Sequence, residues 1–221
     1  FQVSTTTPVE FPIHLRIPGW CNEPVIRING DNIEFSVEGG MVVVDRNWQD
    51  GDELELHLPM AVHLNRWVEN SVSVERGPLV YVLKIGEEWS EVKNNDRWGD
   101  FQEVYPTDPW NYGLLELVIR DPETGFEFVT RTGEVLKDQK TTNSKTENTV
   151  YDPYPWNLEN APVALVTRGK IIPDWTLHRD MAGPLPHSLP LKHLEEVPPD
   201  EITLIPYGCS TLRITEFPVV R

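Results

Sequence analysis

Apolar and polar positions alternate with a period of two along the first part of the chain. In Ile13-His14-Leu15-Arg16-Ile17 the odd positions are apolar and the even ones polar or charged, the pattern of a half-buried strand. Glu53-Leu54-Glu55-Leu56-His57-Leu58 and Ser71-Val72-Ser73-Val74-Glu75-Arg76 repeat it. The unbroken runs Met41–Val44 and Leu79–Leu83 predict strands buried on both faces. Between these segments, Asn29-Gly30-Asp31, Glu38-Gly39-Gly40 and Asp50-Gly51-Asp52 supply residues that tolerate positive φ, as strand-joining turns require. Short strands at about 8–12-residue spacing predict an all-β fold. The expected architecture is two consecutive β-sandwich, jelly-roll-like modules with little helix.

The later part keeps the strand vocabulary and changes its punctuation. Leu114–Arg120, Phe126–Arg131, Val163–Thr167, Ile202–Ile205 and Thr211–Thr215 read as strands. Longer connections bearing Pro and Trp join them: Tyr105–Trp110, Tyr151–Trp156 and Pro173–Pro190. Residues 138–149 carry no large apolar side chain and read as a solvated loop. The polar stretch around Asn94-Asn95-Asp96 places the module boundary, giving a first module at 1–90 and a second at 91–221. Met60–Asn70 fits a turn or two of helix and an irregular connection equally well. The segment Leu191–Glu201 contains Pro198-Pro199, which rules out a long one.

Charge narrows the partners. With 35 acidic and 19 basic side chains, the formal net charge is −16. Binding to nucleic acid or to an anionic membrane requires a basic footprint, so neither is expected as a partner. The acidity is spread over the whole chain, without a separate tail. No run approaches the 18–20 consecutive apolar residues of a membrane helix. The chain begins at Phe1 with no leader; a piece of a longer protein is the expectation, with a secreted or periplasmic parent.

Catalytic motifs are sparse. The sequence holds no G-x-S-x-G elbow, phosphate-binding glycine loop, H-E-x-x-H or C-x-x-C. Cys21 and Cys209 are the two cysteines, either bridged to each other or free and buried. Acidic residues are too numerous for any pair to identify a glycosidase site. The tryptophans are more informative. Asp108-Pro109-Trp110-Asn111-Tyr112 and Tyr154-Pro155-Trp156-Asn157 place aromatic rings beside polar groups in connections. A sugar presents an apolar C–H face and a hydroxyl rim, which such a combination suits. Trp110, Tyr112, Trp156 and Trp175 are therefore the candidate carbohydrate-binding residues. The competing reading packs these rings into the core or an interface.

Several strings form an ordered series: Leu15-Arg16-Ile17-Pro18-Gly19-Trp20-Cys21, Trp48-x-x-Gly51-Asp52-x-Leu54-x-Leu56-x-Leu58-Pro59-Met60 and Glu75-Arg76-Gly77-Pro78-Leu79-Val80-Tyr81. Pro109–Leu114, Ala161-Pro162-Val163 and Leu204–Pro218 continue it. The series resembles the β-sandwich region that follows the catalytic barrel in bacterial glycoside hydrolases of the β-L-arabinofuranosidase family 127 type. That resemblance implies chemistry in an (α/α)6 barrel, with a cysteine nucleophile, a glutamate acid/base and a zinc held largely by cysteines. None of those residues maps onto this chain. The expected function is a non-catalytic portion of a glycoside hydrolase acting on plant-type, arabinose-containing glycans. Its partner is the barrel, with glycan as a second partner; it is expected to be inactive alone and to hold no cofactor, the zinc belonging to the barrel. The alternatives are a stand-alone carbohydrate-binding module and a structural or partner-binding sandwich.

Overall fold

The computed structural model describes residues 1–93, 99–130, 156–188 and 194–221. The polar boundary at Asn94–Asp96, the loop at 138–149, Tyr154-Pro155 and the start of the segment Leu191–Glu201 lie outside the described residues. Contacts divide the chain into two compact units, Phe1–Ala61 and Val62–Arg221.

In the first unit, β1 (Val9–Arg16), β2 (Val25–Ile28), β3 (Asp31–Asn32), β4 (Met41–Trp48) and β5 (Leu54–His57) form two small sheets. β1 pairs with β4 along all eight residues, from Val9 opposite Trp48 to Arg16 opposite Met41. β2 lies between β3 and β5. The alternating apolar positions meet in one core of Leu15, Ile17, Ile26, Ile28, Val42, Val44, Trp48 and Leu54. The run Met41–Val44 is not buried on both faces as expected: Val42 and Val44 face the core, and Val43 is 52% exposed. The sheet of β1 and β4 has only one apolar face to fill.

Two turns tie this unit together. Asn29 and Gly30 take φ of 52° and 88° between Ile28 and its partner Asp31, the two-residue hairpin that Asn-Gly favours. The Asn29 amide donates to Asp52 Oδ1 (2.8 Å), and the Gln49 backbone N–H donates to Oδ2 (2.9 Å). Glu53 N–H donates to Asn29 Oδ1 (2.8 Å), so each turn holds the other. The Asn29 amide, then the Gln49 N–H, hold the Asp52 carboxyl below the usual carboxylate range, with Arg46 at 3.5 Å assisting. Its contribution is complete above about pH 4, the ordinary carboxylate value, and is lost as pH falls through the lower folded value. Asp52→Asn is expected to lower the urea midpoint at neutral pH and to flatten its fall below about pH 4. Equal acid losses in the two proteins would show that Asp52 is not the titrating group.

The second unit is built on an eight-stranded sheet. Its members are β6 (Val62–Arg66), β7 (Val72–Arg76), β8 (Leu79–Leu83), β11 (Tyr112–Leu115), β12 (Glu127–Thr130), β13 (Val163–Ile171), β16 (Asp200–Pro206) and β17 (Val219–Val220). The order is β17-β11-β13-β16-β8-β7-β6, and β12 shares one edge of β13 with β11. Two hairpins stand outside it: β9 (Glu87–Val92) with β10 (Phe101–Pro106), and β14 (Leu177–His178) with β15 (Met181–Ala182). One face of the sheet carries the main core, including Val72, Val74, Tyr81, Leu83, Leu165, Leu204 and Phe217. Val82, Ala161, Ala164, Ile205 and Cys209 form a smaller cluster. The division at Ala61 differs from the 1–90 and 91–221 modules expected from the sequence. β6, β7 and β8 are laddered, through β16, to strands from the far end of the chain.

Two expected strands are something else. Leu114–Arg120 splits into β11 and a short helix α1 (Glu116–Arg120), followed by α2 (Pro122–Gly125). Glu116 and Arg120 pair at 2.7 Å, one helical turn apart, while Leu115, Val118 and Ile119 pack on the core; the apolar spacing there is three to four, not two. Thr211–Thr215 makes no strand. The Glu87 carboxylate accepts from Thr211 and Leu212 N–H (2.7 and 3.1 Å), and Arg213 Nε donates to the Ser210 carbonyl (2.8 Å). Side chains thus engage backbone groups that a ladder would have used. The all-β class holds, and among the described residues no helix is long and apolar enough to cross a membrane.

Candidate functional site

Alternation along β7 sends Val72 and Val74 into the main core and turns Ser73 and Glu75 to the opposite face. Register places Val80 of β8 beside Glu75. These residues floor a groove of about 720 Å³. Its walls carry three aromatic side chains, Trp67, Trp156 and Tyr207, which are 56%, 49% and 45% exposed. Glu216 and Thr215 add polar groups at the rim.

Each aromatic is positioned by identifiable contacts. Trp67 follows β6, and its indole N–H donates to Ser73 Oγ (2.9 Å) on the groove floor. With the N–H engaged there, the exposed part of the side chain is its ring. The loop that presents Trp67 is tightly wound. Glu69 and Asn70 both take left-handed φ, 54° and 55°, a costly conformation outside glycine. Arg66 donates to the Asn70 carbonyl (2.8 Å), Ser188 N–H to the Glu69 carbonyl (2.8 Å), and His187 Nδ1 meets Glu69 Oε2 at 2.9 Å. Ser71 Oγ lies 2.8 Å from the Val68 carbonyl and 3.1 Å from Glu216 Oε2, joining loop to rim. Tyr207 sits in the 3₁₀ turn after β16, with the Arg213 guanidinium 4.2 Å from its ring centre.

Of the four residues singled out from the sequence, the groove takes Trp156. Trp175 is 4% exposed, donates its indole N–H to the Gly183 carbonyl (3.0 Å), and meets Trp110 edge to face at 5.1 Å and 73°. Trp110 is partly buried and touches two apolar clusters. Tyr112 donates its hydroxyl to Asp200 Oδ2 (3.1 Å); burial, then that carboxylate, pushes the phenol up to about 12. Trp175 is thus buried, and Trp110 and Tyr112 are partly buried against apolar clusters. Trp67 and Tyr207 are not singled out by the sequence because one lies in an irregular connection and the other within a Pro-Tyr-Gly turn. The available signal was a tryptophan in a strand-breaking polar stretch, Asn65-Arg66-Trp67-Val68-Glu69-Asn70.

Cys21 and Cys209 are free thiols, each buried in its own apolar cluster. Burial pushes the Cys209 thiol up to about 11, the reverse of what a nucleophile needs. Among the described residues no three His, Cys, Asp or Glu side chains are grouped to hold a metal ion. The donors present do not fit a zinc site made mainly of cysteines.

Comparison with known proteins agrees with this architecture. Residues 1–60 match the family model of the β-L-arabinofuranosidase GH127 middle domain, ending where the first compact unit ends. A search of curated proteins finds no match. Among solved structures, a GH127 β-L-arabinofuranosidase from Geobacillus stearothermophilus T6 is similar over 99% of this chain and 28% of its own, at 20% identity and a TM-score of 0.55. A GH127 β-arabinofuranosidase is similar over 97% of this chain and 28% of its own, at 18% identity and a TM-score of 0.53. A structure described as a glycoside hydrolase is similar over 100% of this chain and 30% of its own, at 18% identity and a TM-score of 0.52. The chain spans less than a third of the length of these proteins. Residues 1–60 thus match the GH127 middle domain, and the whole chain shares its fold with part of the GH127 structures.

Proposed function

We propose that this chain is the non-catalytic β portion of a glycoside hydrolase acting on plant-type, arabinose-containing glycans, and that it braces an (α/α)6 catalytic barrel. The observation that carries the reading is the GH127 middle-domain match over residues 1–60. The buried Cys209 thiol, raised rather than lowered, supports a role without nucleophilic catalysis here.

The test has two arms. The isolated chain is expected to leave p-nitrophenyl β-L-arabinofuranoside unhydrolysed and to bind no stoichiometric zinc; zinc-dependent turnover would overturn the non-catalytic role. A GH127-type barrel joined to this chain is expected to melt at a higher temperature and turn over faster than the barrel alone. Identical melting and turnover would remove the bracing role.

A further inference from the structure

We propose that the groove bounded by Trp67, Trp156 and Tyr207 is a binding site for a neutral oligosaccharide. Trp67 and Trp156 supply stacking platforms, and Glu75 and Glu216 accept hydrogen bonds from sugar hydroxyls. The inference deepens the glycan-acting reading above and rests on it for the choice of arabinose-containing probes; the shape and chemistry come from the groove.

Three observations converge. First, the exposed aromatics are held rather than left loose. The Trp67 N–H is fixed on Ser73, and the consecutive left-handed residues Glu69 and Asn70 are clamped from Arg66, His187 and Ser188. Backbone strain of this kind persists only where surrounding contacts over-determine it, and it clusters at ligand sites. Second, the space is adequate. About 720 Å³ lies within the range of small-molecule sites, roughly 300–1,000 Å³.

Third, the polar groups select the ligand. Two carboxylates line the groove, Glu75 and Glu216, and no Lys or Arg is among its described lining residues. Of the nearby cations, Arg213 is stacked on Tyr207 and bonded to the Ser210 carbonyl, and Arg66 is bonded to the Asn70 carbonyl. Anionic ligands such as phosphates and uronates are therefore repelled. Carboxylates accept from hydroxyl donors, and indole faces take apolar C–H surfaces. An aromatic cage for an organic cation needs its rings convergent around the charge. Among the described residues no ring contact joins Trp67, Trp156 and Tyr207; the ring pairs are Phe11–Trp48 and Trp110–Trp175. Separated platforms suit successive units of an extended neutral chain better than one compact cation.

Isothermal titration of the 221-residue chain with linear arabino-oligosaccharides, xylo-oligosaccharides and tetramethylammonium chloride tests the site. A saturable heat with a neutral oligosaccharide is expected, weakened about tenfold or more by Trp67→Ala and by Trp156→Ala. Trp67→Phe keeps a ring and is expected to lie between the two. Trp156→Ala leaves the strained loop untouched, so it reads the groove even where Trp67→Ala impairs folding. Three results overturn the proposal: no heat with any neutral oligosaccharide at about 10 mM, binding indifferent to Trp156→Ala and Trp67→Phe, or saturable binding of tetramethylammonium alone. A chain that binds no sugar yet raises the barrel's melting temperature sinks the groove and leaves the bracing role intact. Sugar binding without any effect on the barrel does the reverse.

Discussion

Trp48→Ala is expected to destabilise the unit Phe1–Ala61 by about 3–5 kcal/mol, the usual cost of emptying a large buried aromatic site. The indole is fully buried at the end of β4. Its N–H donates to the Phe11 carbonyl on β1 (2.9 Å). The Phe11 ring lies 5.9 Å from it and the Arg46 guanidinium 5.1 Å. Truncation therefore opens a cavity between the two small sheets and strands a backbone carbonyl at the same time. Total stability in domains is only about 5–15 kcal/mol, and small units lie at the low end. Hydrogen exchange should show peptides from β1, β2 and β4 losing most of their protection, with β13 and β16 still protected. Equal loss in both sets would mean that the two units do not unfold separately. Trp48→Phe, which keeps a ring but loses the donor, is expected to cost less.

Phe217→Ala is expected to cost the second unit a similar amount, about 3–5 kcal/mol. Phe217 is fully buried in the main core. Its backbone exchanges two hydrogen bonds with Val72, at 2.8 and 2.9 Å. The side chain thus anchors the segment before β17 onto β7. Its loss should free the C-terminal residues first, since β17 adds only two residues to the sheet beside β11. Limited proteolysis is expected to remove the C-terminal segment before β13 or β16 is cut. A variant that melts like the parent would show that the segment is held by its backbone bonds alone.

How much of the fold could be read from the sequence follows from what alternation encodes. Ile13–Ile17, Glu53–Leu58 and Ser71–Arg76 fall on β1, β5 and β7, because a period of two belongs to a sheet with one apolar face. The Asn29-Gly30 turn was legible too, since positive φ at both positions is costly for most other residues. Where apolar residues crowd together, period is lost. Leu114–Arg120 offered no polar alternation to distinguish a strand from the short helix α1. Thr211–Thr215 alternates like a strand, but the Glu87 carboxylate, 124 residues from Thr211 in sequence, takes its N–H groups. No local rule could have foreseen that contact.

The candidate site divides in the same way. Aromatic richness and an acidic, cysteine-poor composition were properties of the sequence by itself, as was the all-β class. Which rings face solvent was settled only by the tertiary structure. Trp110, Tyr112 and Trp175 looked as available as Trp156, yet they pack into partly or fully buried clusters. Trp67 became part of a groove because β6, β7 and β8 sit in one sheet and Ser73 turns away from the core to receive the indole N–H. Periodicity states which residues share a face of a strand. It does not state which strands are neighbours, or which face the rest of the chain covers, because those are set by contacts between distant segments.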